Sequence, residues 1–326
     1  MTLKLDFKKK VFYLKDNFKI SRETKSKINT IIIKLYNNNA SGFGECIPYK
    51  RYNETFKKIW NYLENNKKNI EKNLTKKVPY LSLQNALENA NSHLNRKKRI
   101  KFLKNQFITS VTLAIDNKDK IIKNLKKLRN INYIKVKLNS LNVIKTLNLI
   151  KIYSPKSKII IDTNESWSFN FLKKILPKLK QYNVYMIEQP LKEGSDHLLR
   201  KIKTKILFCA DESFRGENLN KIKSIYDCFN IKLDKFGGVS NCKKLIQKIK
   251  KLKKKIMIGC MVSSSLSIIP AIQLIKKTDL IDLDGAFYLK KDFKYSLKYK
   301  KDTVKISKKF FWINKTGPEE NLQGLF

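Results

Sequence analysis

The stretch KIIIDTNESWSFNFLKKILPKLKQYNVYMIE, residues 158–188, decides how this chain is read. It opens on a short β-branched run, KIIIDT (158–163), and closes on another, VYMIE (184–188). Between them Phe171, Ile175 and Leu179 recur at helical spacing, so the segment reads strand, helix, strand. A crossover of that length makes the two strands parallel neighbours. The same cycle extends in both directions, through FITSVTLA (107–114) and YIKVKL (133–138) on one side. On the other lie ILFCA (206–210), CFNIKL (228–233), KIMIG (255–259) and LIDLD (280–284). Eight strand-like runs at intervals of roughly 25 residues predict βα units closed into a barrel rather than an open doubly wound sheet.

Residues 1–105 follow a different pattern. Alternating segments at Leu3–Tyr13 and Lys27–Tyr36 precede a glycine-containing turn expected at Ala40–Gly44. Helical stretches follow around Glu54–Asn66 and Leu81–Asn95, which gives an α+β unit ahead of a barrel at 106–285. The tail, 286–326, carries Phe287, Tyr288, Phe310, Phe311 and Trp312, and is expected to pack back and complete the first unit.

Composition removes several function classes. The five cysteines (Cys46, Cys209, Cys228, Cys242 and Cys260) are scattered, which argues against a disulfide framework or a zinc site. With only His93 and His197 available, a histidine-based triad is hard to build, and any metal must be held by carboxylates, hence be a hard cation. No apolar run has the length of a membrane span and the start lacks a signal-peptide pattern, so a cytoplasmic protein without a membrane partner is expected. The net charge of +44 invites a nucleic-acid reading, but only seven of the 71 basic residues are arginine. The lysines lie mostly on polar faces of periodic helices such as Asn117–Asn130 and Asn241–Lys255, so we read them as solvated surface and expect no specific nucleic-acid partner.

In a parallel βα barrel, functional groups sit at the C-terminal ends of the strands. Those ends carry Lys135 and Lys137, Asp162 and Asn164, Glu188, Asp211 and Glu212, Lys235, and Asp282 with Asp284. Asp162 and Glu188 are 26 residues apart and Glu188 and Asp211 are 23 apart, one βα repeat each, which brings three carboxylates from successive strands to one pocket. Each carboxylate alone could cap the helix that follows it. Three in register form an all-oxygen site suited to Mg²⁺. Lys135 and Lys137 share one strand face by the period of two. Lys235 follows the sixth strand, across the barrel from the second. Two ammonium groups on opposite sides of a metal-held carboxylate are what a 1,1-proton transfer requires. In so lysine-rich a chain the Lys-x-Lys pattern weighs little without its place on an apolar strand.

GFGECIPYKRYNET (42–55), KVKLN (135–139), IDTNESW (161–167), IEQP (187–190), ADES (210–213), NIKLDKFGG (230–238), GCMVSSS (259–265) and DLDG (282–285), in this order, resemble the enolase superfamily in its muconate-lactonizing subgroup. The resemblance implies a modified TIM barrel, (β/α)₇β, under an N-terminal α+β capping domain. It implies Asp162, Glu188 and Asp211 as Mg²⁺ ligands, Lys137 and Lys235 as the acid/base pair, and Lys135 as a group that holds the substrate carboxylate. DLDG looks like the dipeptide epimerase signature, in which Asp282 and Asp284 bind the substrate's α-ammonium group. Arg22 lies where the family carries a capping-domain loop that reaches the substrate side chain, and Thr109 and Ser110 on the first strand are candidate groups for the substrate backbone. Ser166 stands where the family often has Gly, and Ala286 where it often has Pro. The expected activity is epimerisation at the C-terminal residue of a dipeptide, L-Ala-D/L-Glu first. The alternatives are o-succinylbenzoate synthesis or N-acylamino acid racemisation and, more distantly, nucleic-acid binding without catalysis. Assembly into a homo-oligomer is compatible with this reading.

Overall fold

The computed structural model describes residues 3–19, 24–74, 76–95 and 105–307. The chain starts with an antiparallel sheet, β1 (Lys4–Lys19), β2 (Thr24–Asn37) and β3 (Ala40–Cys46), with β2 in the centre. The run TIIIKL in β2 is apolar at consecutive positions because both faces of this sheet are covered. Ile31, Ile33 and Leu35 pack with Leu5 under the helices α1 (Phe56–Lys72) and α2 (Leu81–Leu94). Ile28 and Ile32, of the other parity, join Phe12, Leu14 and Phe43 in the core shared with the barrel. Thr55 caps α1 by accepting from the Lys58 amide at 3.3 Å, and Glu54 accepts from the Leu81 amide at 2.6 Å at the start of α2.

The expected turn at Ala40–Gly44 is in fact strand. A Cβ on Gly42 would stand 2.1 Å from the Ala90 carbonyl oxygen, and one on Gly44 would stand 2.0 Å from that of Ala86. These glycines let α2 lie directly on β3, and nothing in the local sequence separates that use from a turn.

The central body is a parallel ring of eight strands. It comprises β5 (Val111–Leu113), β6 (Tyr133–Lys137), β7 (Lys158–Asp162), β8 (Val184–Glu188), β9 (Leu207–Ala210), β10 (Cys228–Lys232), β11 (Lys255–Gly259) and β12 (Leu280–Asp282), each beside its neighbour in sequence. The crossovers carry α3 (Lys118–Lys127), α4 (Val143–Tyr153), α5 (Phe169–Leu179), α6 (Leu219–Ile222), α7 (Leu233–Phe236), α8 (Val239–Lys251) and α9 (Ser265–Ile268). A 3₁₀ turn, Asp196–Lys201, stands where a helix would follow β8.

The single first strand expected at 107–114 divides in two. Its leading part, β4 (Gln106–Ile108), leaves the barrel to pair with β14 (Thr303–Lys305), itself paired with β13 (Lys298–Lys300). The switch falls at Thr109 and Ser110, whose amides donate to Asp302 and Ile281 respectively. The ring closes there without a regular ladder. The Ser110 amide reaches the Ile281 carbonyl at 2.8 Å, and the Thr109 hydroxyl accepts from the Leu283 amide at 2.8 Å. The tail packs back where it is described, with Leu14 bridging to Leu289; Phe310, Phe311 and Trp312 lie outside the described residues. No helix among the described residues is long and apolar enough to cross a membrane.

Glu45, on β3, is fully buried and accepts from both the amide and the hydroxyl of Ser264, at the start of α9. Burial pushes its carboxyl from 4.5 up to about 8 against the pull of those donors. The folded state therefore keeps a proton that the unfolded chain gives up, and this group's contribution to stability is lost as pH rises from 4.5 to about 8. Glu45→Gln should flatten the pH dependence of urea unfolding in that window by about 1.4 kcal/mol per pH unit. Parallel curves for parent and variant would show that Glu45 ionises freely.

Candidate active site

The barrel lumen is layered by the period of two. Ile160, Met186, Cys209, Cys228, Met257 and Leu280 form an apolar floor. Two residues further along each strand the same parity turns polar, giving Asp162, Glu188, Asp211, Asn230 and Asp282, with Gly259 at the remaining position. Register keeps the layer level, since Asp162 pairs with Glu188 and Glu188 with Cys209, two residues before Asp211. Gly259 is glycine for room: a Cβ there would stand 2.4 Å from Asn230 Oδ1. Asn230 Nδ2 instead donates to Glu188 Oε1 at 2.8 Å.

Lysine ammonium groups stand between the carboxylates. Lys135 Nζ lies 3.0 Å from Asp162 Oδ2, 2.7 Å from Glu188 Oε2 and 2.7 Å from Asp282 Oδ2. Lys137 also donates to Asp162 Oδ2. On the far side Lys235 Nζ donates to the carbonyl of Asp211 at 2.7 Å and to its Oδ1 at 2.8 Å, while Lys232 Nζ takes Oδ2 at 2.6 Å. Asp284 Oδ2 accepts from the Thr112 amide and the Tyr288 hydroxyl, each at 2.7 Å, and Ser110 Oγ donates to Asp282 Oδ1 at 2.6 Å. The structure thus brings together all the expected site residues except two. Thr109 is spent in the barrel seam, its hydroxyl bonded to Ile281 and Leu283. Arg22 lies outside the described residues.

The electrostatics follow from burial and these pairings. Burial opposes the charge on Asp162, yet Lys135 and Lys137 hold its pKa down at about 2. Asp211 is likewise held well below the carboxylate range by Lys232 and Lys235, against its desolvation. Glu188 is the exception, raised to about 7 by burial and by the charge of Asp162. Its Oε2 meets Lys135 as a charge but has no hydrogen bond. Burial lowers the pKa of Lys235 despite its contact with Asp211. Asp284 is raised to about 6 by burial and by Asp282.

Among the described residues no three His, Cys, Asp or Glu side chains stand ready as a cation cage, and lysines fill the gaps between the carboxylates. The donor set nevertheless fits a hard divalent ion. Asp162, Glu188 and Asp211 offer only oxygen from successive strands, and Glu188 Oε2 is a buried acceptor still short of a hydrogen bond.

Above this layer the first unit is tied to the barrel mouth. Arg51 Nη2 reaches Glu165 Oε1 at 2.7 Å and Glu193 Oε2 at 2.8 Å, and Arg215 pairs with Glu193 while stacking over Tyr52.

Residues 125–307 match the family described as enolase C-terminal domain-like. The chain belongs to the enolase superfamily. It is 33% identical over 284 residues to an N-acetyl-D-glutamate racemase from a Pseudoalteromonas species, a match covering 82% of this chain and 90% of the relative. It is 29% identical to the L-Ala-D/L-Glu epimerase of Escherichia coli, over 86% of this chain and 93% of that one. A solved enolase family member from Agrobacterium tumefaciens, described as homologous to dipeptide epimerases and holding sodium and L-Ala-L-Glu, superposes with a TM-score of 0.84 at 26% identity, covering 93% of this chain and 98% of that one. This chain is accordingly an isomerase of that superfamily, with the barrel its sequence implies.

Sequence reasoning passed over Lys232 and Asn230 in the barrel and Arg51 in the first unit. The first two had a signal: CFNIKL places Cys228, Asn230 and Lys232 on one parity, the inward one. Arg51 had none, because its partners lie 114 and 142 residues away.

Lys135 is the ammonium that three buried carboxylates share, and burial fails to lower its pKa because Asp162, Asp282 and Glu188 outweigh it. Lys135→Met should therefore destabilise the metal-free protein by about 3–5 kcal/mol, the scale for stripping a buried charge of its partner. Urea unfolding in the presence of a chelator measures this, and a loss below about 1 kcal/mol would mean that the carboxylates find compensation elsewhere.

Proposed function

We propose that this isomerase inverts the α-carbon of an N-acylated glutamate, first of all L-Ala-D/L-Glu, by proton transfer between two lysines beside a Mg²⁺ ion held by Asp162, Glu188 and Asp211. The observation that carries the reading is the placement of Lys137 and Lys235. Lys137 ends β6 and Lys235 lies in α7 just past β10, four strands further round the ring, each anchored to a different metal-ligand candidate, Asp162 and Asp211. A substrate α-carbon between them would have one lysine nitrogen on each face. One lysine, as free amine, removes the α-proton; the other, as ammonium, delivers a proton to the opposite face. Burial of Lys235 favours its free-amine form, and the Asp211 carbonyl fixes where its nitrogen points. Mg²⁺, when bound, supplies positive charge to the substrate carboxylate and so lowers the cost of the carbanion. Residues 1–105 with the tail serve as the capping domain, and the Arg51 contacts to Glu165 and Glu193 keep it over the mouth.

The acyl group is where two readings part. The two relatives are named for N-acetyl-D-glutamate and for L-Ala-D/L-Glu, and both compounds are N-acylated glutamates. They differ in the α-ammonium group of the alanyl unit. Asp282 and Asp284, buried on one parity at the end of β12, suit an ammonium and support the dipeptide. An N-acetylamino acid racemase is the second reading, supported by the 33% identical relative and by Lys135 already holding Asp282.

Both readings predict that Lys235→Ala abolishes epimerisation while exchange of the α-hydrogen in D₂O persists for one epimer, and that Lys137→Ala leaves exchange for the other. Loss of a positioned acid or base costs about 10²–10⁴-fold, so the residual exchange is measurable by NMR. Equal exchange of both epimers by both variants would refute the opposed-lysine mechanism. To separate the readings, Asp284→Asn should lower kcat/KM for L-Ala-L-Glu by at least about tenfold and leave that for N-acetylglutamate within a few-fold. A parent enzyme that prefers N-acetylglutamate would decide for the second reading.

A further inference from the structure

Gln189 follows Glu188 directly and is wholly buried, with its backbone in the left-handed region at φ 40°. A non-glycine residue adopts that conformation at a cost and keeps it only where its surroundings enforce it. Here every polar group of the residue is engaged. Its amide donates to the Cys209 carbonyl on β9 at 2.9 Å, and its carbonyl accepts from the Glu165 amide at 3.0 Å and the Thr163 hydroxyl at 2.6 Å, both just past β7. Its side-chain Oε1 accepts from the amides of Asp211 at 3.1 Å and Ser213 at 3.0 Å. Its Nε2 donates to Ser213 Oγ at 2.7 Å and to the Leu191 carbonyl at 2.9 Å.

One residue thus clamps the ends of three successive strands, those that carry Asp162, Glu188 and Asp211. The contact with the Asp211 peptide reaches further. Gln189 holds the Asp211 amide on one side of its Cα, and on the other side the Asp211 carbonyl accepts from Lys235 Nζ at 2.7 Å. We infer that Gln189 is a positioning residue, whose side-chain Oε1 sets the Asp211 carboxylate for the cation. This rests on the proposed assignment of Asp162, Glu188 and Asp211 to Mg²⁺. A residue that merely filled the core would touch these strands without directing its acceptor at the backbone of a ligand.

The test is calorimetric titration of the metal-free folded protein with Mg²⁺ alone, beside thermal unfolding of the same samples. Gln189→Met keeps the volume and removes the acceptor, and should weaken Mg²⁺ binding by about 10–100-fold, the range for lost partners of metal ligands. Ser213→Ala also removes buried hydrogen bonds to Gln189 and Asp196 but leaves Oε1 on the Asp211 amide. It should lower the melting temperature and keep Mg²⁺ affinity within about threefold, a smaller loss than for a ligand's own partner. Should Gln189→Met not fold, Gln189→Glu retains an oxygen for the Asp211 amide, and near-parental affinity is expected. Parental affinity in Gln189→Met, equal weakening in Ser213→Ala, or lost affinity in folded Gln189→Glu overturns the inference while the metal assignment stands. A parent protein that binds no Mg²⁺ overturns both.

Discussion

The structure depends on charge compensation inside a barrel that excludes water. Asp162, Glu188, Asp211 and Asp282 are all buried, and ionised carboxylates there are untenable without partners. Lys135, Lys137, Lys232 and Lys235 supply four ammonium groups for those four carboxylates, each within 3.0 Å of a carboxylate oxygen. Where the match is weaker the pKa rises, as at Glu188 and Asp284, each pushed up first by burial and then by a neighbouring carboxylate. A divalent cation held by these carboxylates, as proposed, would have to share them with the lysines that already hold them. Lys135 would have to yield part of its contact with Glu188, whose Oε2 has no hydrogen bond.

The basicity of the chain as a whole plays a different part. A charge of +44 gives a surface potential that attracts anions in general, and it falls off over about one Debye length. It says nothing about the lumen, where acids and bases are balanced locally. Were the substrate a glutamate derivative, as proposed, its negative charge would let such a surface raise the encounter rate at low salt without choosing among anions. In the proposed reading that choice falls to Asp282 and Asp284 at the end of β12.

Much of the barrel was legible because one periodicity serves two purposes. The alternation that points Ile160 and Met186 at the floor points Asp162 and Glu188 at the site, so a reader who finds the strands has also found the ligand candidates. What failed were features set by contacts distant in sequence. Gly42 and Gly44 look like turn residues until α2 is laid upon them, and FITSVTLA looks like one strand until Asp302 draws off its first half. Arg51 is invisible for the same reason. Local patterns report which face a residue takes, and they say nothing about which other element arrives at that face.

The left-handed residues near the carboxylates show the same limit from the side of energy. Asn164 at φ 46°, Glu165 at φ 69° and Gln189 at φ 40° all follow closely on Asp162 or Glu188. Asparagine tolerates this conformation, but glutamate and glutamine do so at a cost of order 1 kcal/mol each. The folded chain offsets that cost with bonds that also fix the site: the Glu165 amide to the Gln189 carbonyl, and the Glu165 carboxylate to Arg51 and to the Glu193 amide at 2.9 Å. A glycine at either position would relieve the strain and lose the side chain that ties strand to strand or cap to barrel. Strain at the strand ends and order at the carboxylates are therefore one arrangement. Substitutions that relax the backbone here should loosen the geometry of the carboxylate layer.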